Sequence, residues 1–265
     1  MEQADRANPF EGLPSFRLGS GPPLLVIPGL TPRHEVPRGP AFLAESQPLG
    51  PLARHREVWW VNRRSGLGPE TTMADIAADY AERLPRLGAP VDVLGISTGA
   101  AVALQLAHDR PELVRRLVLV AGGCRLGPVG KAGQRALLHR LEAGDLRGAG
   151  VEMVRLGGLR PAARSLESWA GWVMGPLMYR GSTADVMAVL RAEDRFDLTS
   201  RLAAIDVPTL VLGGDEDAPY GAAVFRETAR GLPRGRLIMY YGRGHVGVPL
   251  VPSFAGDVLR FLDVP

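Results

Sequence analysis

Cysteine and lysine are nearly missing from this chain of 265 residues. A single cysteine, Cys124, excludes an internal disulfide and fits a reducing compartment. Lys131 is the one lysine, so the sequence pI near 9.4 reflects arginine, while the net charge is only +3. Those arginines are scattered and balanced by acids, which argues against a nucleic-acid-binding stripe. No apolar run approaches the roughly 20 residues needed to cross a bilayer. The opening Met1-Glu2-Gln3-Ala4-Asp5-Arg6 has no apolar signal segment either. A Walker loop, a Cys/His metal cluster and a dinucleotide fingerprint are all lacking, so no metal or organic cofactor is expected. The expectation is a soluble cytoplasmic protein acting on a small molecule, with no membrane or nucleic-acid partner. The sequence gives no oligomeric state.

What is present is a core. With 46% hydrophobic residues, the chain suffices for one large core with an insertion, or for two small domains. Residues 1 to about 15 read as a polar, proline-punctuated arm, and Ser15–Leu18 alternates like an edge strand. Leu24–Ile27, Val58–Val61 and Leu117–Val120 are short, continuously apolar runs, as expected of strands buried on both faces, and Val91–Leu94, Val207–Leu212 and Arg236–Tyr241, mainly apolar, read as strands too. Helical spacing follows several of them: Met73, Ile76, Ala77, Tyr80 and Leu84 behind a Thr71 or Thr72 cap, the alanine-rich stretch Ala100–Ala107, Phe225–Leu232, and 252–262. Strands alternating with helices predict an α/β protein with a mostly parallel sheet covered on both faces. From about Arg125 to Leu202 only helical spacing appears, which predicts a helical insertion. The expected division is a core of residues 1–123 and 202–265 with a helical cap at 124–201.

Three stretches at strand ends carry chemistry. In Gly95-Ile96-Ser97-Thr98-Gly99, a strand turns at once into a helix. A turn this tight strains the serine backbone and leaves no room for side chains two positions either way. The hydroxyl is thereby lifted to a helix start, where the dipole favours developing negative charge. A serine needs a base, and the base needs a group that fixes its tautomer. Asp217 follows the Leu212 strand end, and His245 sits in Gly242-Arg243-Gly244-His245 past the last strand. Loops at the carboxyl ends of parallel strands share one edge, where ligands bind.

With Leu24–Leu30, Leu94–Gly99, Val207–Asp217 and Gly242–His245 taken together, the chain resembles a cap-bearing member of the α/β-hydrolase superfamily over nearly all its length. The resemblance implies Ser97 as nucleophile, His245 as base and then acid, and Asp217 as orienting carboxylate. It implies an oxyanion hole from the backbone N–H groups of Leu30 and Thr98. The chain departs from the family pattern at Pro28, where relatives commonly carry histidine. It departs again at Asn62-Arg63-Arg64-Ser65-Gly66, where they often carry aspartate and more glycine.

Alternatives stand beside these assignments. Asp215 rivals Asp217, which is preferred because Asp217-Ala218-Pro219 fits the family loop better. His108 and His139 read as helix-surface residues and His55 as a loop residue. His34 faces either substrate or solvent. Asp206 reads as a turn residue and Cys124 as core filler. Trp169, Trp172, Val173, Met174 and Met178 either pack the cap or roof a pocket above Ser97; with His34 and Val246, Trp169, Trp172 and Met174 are the candidate pocket residues. The function expected is hydrolysis of a carboxylic ester or lactone through an acyl-enzyme. The same triad would serve an acyltransferase, a thioesterase, a carbon–carbon bond hydrolase or a haloperoxidase-type esterase. A receptor-like binder that keeps the triad, and a non-enzymatic α/β domain in which Ser97 occupies an ordinary turn, remain open.

Overall fold

The computed structural model describes residues 8–157, 164–181 and 183–264. Seven strands form one sheet: β1 Ser15–Leu18, β2 Pro23–Ile27, β3 Glu57–Val61, β4 Val91–Ile96, β5 Val114–Val120, β6 Thr209–Gly214 and β7 Gly235–Tyr240. Their order is β1-β3-β2-β4-β5-β6-β7, with β1 antiparallel to β3 and every other pair parallel. Alternation along each strand explains the runs apolar at every position. Leu25 and Ile27 of β2, Trp59 and Val61 of β3, and Leu117 and Leu119 of β5 enter one core layer. Leu24, Val26, Val58, Trp60, Val118 and Val120 enter the other.

The helices are α1 Pro40–Ser46, α2 Gly50–Ala53, α3 Met73–Ala81, α4 Leu84–Leu87, α5 Thr98–Asp109, α6 Pro128–Glu142, α7 Leu146–Gly157, α8 Arg164–Met178, α9 Ala184–Arg195, α10 Gly221–Gly231 and α11 Phe254–Leu262. Helices α3, α5 and α10 pack on the first layer, while α2 and α11 pack on the second. Thr72 is the cap of α3: its hydroxyl accepts from the Asp75 N–H, and the Asp75 carboxylate accepts from the Thr72 N–H at 2.8 Å.

The stretch between β5 and β6 contributes α6 to α9, which share a small apolar core of Leu137, Leu141, Ala149, Tyr179, Val186 and Leu190. Helices α7 and α8 cross with backbones in near contact. A Cβ added at Gly150 would lie 2.1 Å from the Gly171 carbonyl oxygen.

One expectation changes. The described part of the amino-terminal arm is anchored, not loose: Phe10 and Leu13 are buried, with the Phe10 ring 5.7 Å from that of Trp59. Residues 1–7 of that arm, and Pro161 of the insertion, lie outside the described residues. The stretch 40–53 holds two short helices that no apolar period announces, because both begin with a proline-bearing turn and α1 buries no residue fully.

Candidate active site

The site begins with Ser97 at the end of β4. Its backbone stands at φ 53°, and among the described residues only Ala121 shares a positive φ without being glycine. Neighbouring glycines allow this turn. A Cβ at Gly95 would fall 2.3 Å from the Gly99 carbonyl, and one at Gly99 would fall 2.1 Å from the Ile27 carbonyl. The serine hydroxyl is therefore displayed where β4 meets the first turn of α5.

The loops after β6 and β7 bring two side chains to it. His245 Nε2 lies 2.8 Å from Ser97 Oγ, and His245 Nδ1 lies 2.7 Å from Asp217 Oδ2. Asp217 is 3% exposed, and its other oxygen accepts the Tyr220 N–H at 2.9 Å. The Nδ1–H therefore donates to the carboxylate, leaving Nε2 with a lone pair for the serine proton. Asp215, the rival acid, is used elsewhere. Its Oδ1 accepts the Gly242 N–H at 2.7 Å and holds the turn that carries His245.

The loop after β2 closes the other side. Gly29 lies so near that a Cβ on it would stand 3.3 Å from Ser97 Cβ. Thr98 opens α5 and so has no carbonyl one turn back for its N–H. The Leu30 N–H has no backbone acceptor among the described residues. Leu30 and Thr98 line the same cavity as the serine.

Behind that loop lies a group of polar residues with no counterpart in the expected site. Arg63, fully buried, donates to the carbonyls of Pro28 at 3.3 Å and Gly29 at 2.9 Å and to Thr31 Oγ1 at 3.0 Å. With its carbonyls drawn back, the loop has its N–H groups free to face forward. Asn62 binds the Arg33 and Glu35 carbonyls. His34 packs into this group, its Nδ1 donating to the Arg64 carbonyl at 2.8 Å and its Nε2 accepting from Arg63 Nε at 3.4 Å. Burial, then the Arg63 charge, lower its pKa to about 4, so it is neutral at pH 7. His34 therefore faces neither substrate nor solvent, which corrects its place as a pocket candidate.

A cavity of about 620 Å³ opens over Ser97 and His245. Its walls are mainly apolar: Leu30 and Ile96 from the core, Met153, Val154 and Leu156 from α7, and Val246 and Leu250 beyond His245. Val246 lines it, as expected. Trp169, Trp172 and Met174 do not; at 63%, 48% and 44% exposed they sit on the outer side of α8, with Arg147 stacked 4.0 Å over the Trp172 ring. The reason is the glycine crossing: α8 presents Gly171 and Gly175, not its large side chains, to α7. Helix α7 forms the roof. Glu45, whose Oε2 accepts the Trp60 indole N–H at 3.0 Å and whose carboxyl burial pushes up, adds a carboxylate to the wall near α1.

The described parts of the chain hold no group of three or more metal-ligating side chains, and no helix there is long and apolar enough to cross a membrane. The model of the alpha/beta hydrolase family matches residues 24–259. The chain belongs to this family. Among its relatives is the Mycobacterium tuberculosis protein named "Putative non-heme bromoperoxidase BpoC", 30% identical over 86% of this chain and 88% of that one. Another is "Putative carbamate hydrolase RutD" of Rhizobium rhizogenes, 30% identical over 76% of this chain and 78% of its own. A thermophilic esterase from Thermogutta terrifontis shares the fold at TM-score 0.74 and 21% identity, over 94% of this chain and 92% of that chain. In this hydrolase-family fold, Ser97, Asp217, His245, Thr98, Leu30 and Val246 meet at one edge of the sheet. Arg63, Glu45, Tyr220, Gln134 and Glu193 join them unforeseen, because a buried polar side chain has no periodic signature and its partners are distant in sequence.

Proposed function

We propose that this protein is a serine hydrolase that cleaves the ester-like bond of a small, largely apolar substrate through an acyl-enzyme. The hydrogen-bond chain Asp217–His245–Ser97 at the floor of an apolar cavity carries the reading. Ser97 Oγ attacks the carbonyl carbon as His245 Nε2 takes its proton. The tetrahedral oxyanion is held by the N–H groups of Leu30 and Thr98; one such donor typically contributes about 10²–10³ in rate. The carbon–oxygen bond to the leaving group then breaks, and the leaving oxygen takes the proton from Nε2. Water attacks the acyl-enzyme and gives a proton to His245 Nε2; the bond to Oγ then breaks, Oγ takes that proton back, and the acid is released. Asp217 holds the imidazole in its productive tautomer throughout.

The carbamate hydrolase name of one relative supports a second substrate for the same chemistry, since a carbamate carbonyl would occupy the same oxyanion position. The mainly apolar walls favour the ester. The proposed division is a core of residues 1–123 and 202–265 with a cap at 124–201. Steady turnover of 4-nitrophenyl esters of graded acyl length, with a 4-nitrophenyl carbamate beside them, tests the proposal. Ser97→Ala should abolish it. Turnover that survives the substitution would remove the serine mechanism. A folded wild-type protein that takes up a fluorophosphonate at Ser97 without turning over any ester would favour the receptor-like binder.

A further inference from the structure

Glu193 is 1% exposed and makes no ion pair among the described residues. It lies on α9, in the helical stretch between β5 and β6. Three donors converge on its carboxylate: Thr98 Oγ1 at 2.7 Å and Gln134 Nε2 at 2.7 Å on Oε2, and the Tyr220 hydroxyl at 2.9 Å on Oε1. Burying a carboxylate with no cation bonded to it is costly, even with the Arg63 charge nearby, and a well-packed apolar side chain would serve stability better. The partners explain its presence. Thr98 follows the nucleophile and offers the proposed oxyanion N–H. Tyr220 lies parallel to the His245 ring, at 5.9 Å between centroids and 13° between planes, while its N–H donates to Asp217. Glu193 is thus bonded both to the serine turn, through Thr98, and to Tyr220, which braces the acid–base pair.

We propose that Glu193 is a positioning residue of the reaction centre, tying α9 to both walls of the triad through Thr98 and Tyr220. The inference rests on the serine-hydrolase reading above. Its geometry explains why a carboxylate is needed. Two oxygens accept from two sides, whereas an amide keeps one acceptor and must turn the Tyr220 contact around, its NH₂ donating to the phenol oxygen. Breaking either arm loosens the imidazole or the serine turn, and small misplacements of reacting groups cost rate more than binding.

The test is a double-mutant cycle on Glu193→Gln and Tyr220→Phe, with kcat counted per active site titrated by fluorophosphonate. Glu193→Gln is expected to lower kcat roughly 10- to 100-fold with KM held within about two-fold. The double variant should lose little more than the worse single one, because both changes break the same arm. A carboxylate that only supports the fold would lower Tm and leave kcat per titrated site within about two-fold of wild type. That result overturns the proposal, as do losses that simply multiply. Should Glu193→Gln fail to fold, Thr98→Val and Tyr220→Phe decide together: lower kcat at constant KM in both supports the proposal, and wild-type kcat in either overturns it. Turnover surviving Ser97→Ala removes the serine reading and this inference together. Turnover abolished there but untouched by Glu193→Gln removes the inference alone.

Discussion

His34 shows what one buried side chain does to pH dependence. Its imidazole is held neutral, with a pKa near 4 against about 6.5 in an unfolded chain. Between those values the unfolded state binds more protons, so stability from this group is complete above pH 6.5 and is lost as pH falls toward 4. The full effect is on the order of 3 kcal/mol, from about 1.4 kcal/mol for each pKa unit. Urea unfolding of wild type and His34→Asn at pH 7 and pH 5 should give a smaller pH difference for the variant. Equal pH differences would mean that His34 is protonated alike in both states. The same residue marks a limit of sequence reading. A histidine after a proline-rich loop looks solvated, and only the partners Arg63 and Arg64, 29 and 30 positions away, bury it.

At the scale of elements, the strands were the most legible part. A strand buried on both faces is apolar at nearly every position, Asp92 of β4 being an exception, so the runs announce themselves, and each falls on an observed strand to within a few residues. The serine turn and the two loops were legible because strand ends in such a sheet share an edge. Helix α8 was misread. Its Trp169, Trp172 and Met174 suggested either cap packing or a roof, but Gly150 and Gly171 bring α7 and α8 backbone to backbone and turn those side chains outward. Trp172→Ala should therefore leave KM within about two-fold across an ester series, since half the indole is already in water and its partner is Arg147. Val154→Phe narrows the cavity itself. It should lower kcat/KM for the longest acyl chain about ten-fold relative to acetate, the scale of a methylene or two in an apolar pocket. If Trp172→Ala instead shifts the chain-length profile and Val154→Phe does not, α8 is the roof after all.

Taken whole, the molecule separates chemistry from anchorage along the length of its strands. Ser97, Asp217 and His245 lie past the carboxyl ends of β4, β6 and β7. At the amino ends, Asp92 is buried as the second residue of β4, bonded by Arg56 at 3.0 Å and by Arg115. Arg56 also reaches Asp263, and Arg115 the Leu262 carbonyl, so this cluster fastens the end of α11 to the sheet. Burial pushes the Asp92 carboxyl up despite its arginines, so each partner lost leaves a charge poorly accommodated. Arg56→Met should cost about 3 kcal/mol, the low end for breaking a buried pair because Arg115 remains. Adding Asp92→Asn should recover part of that loss, since the orphaned charge goes with it. Five residue steps along β4 take the chain from Asp92 to Ser97, roughly 16 Å at 3.3 Å per residue. Changes that far apart with no shared partner act independently. Both variants should then keep wild-type kcat per titrated site while their urea midpoints fall. A kcat that dropped with the midpoint would mean that the amino-end cluster shapes the serine turn, and that anchorage and chemistry in this sheet are one system.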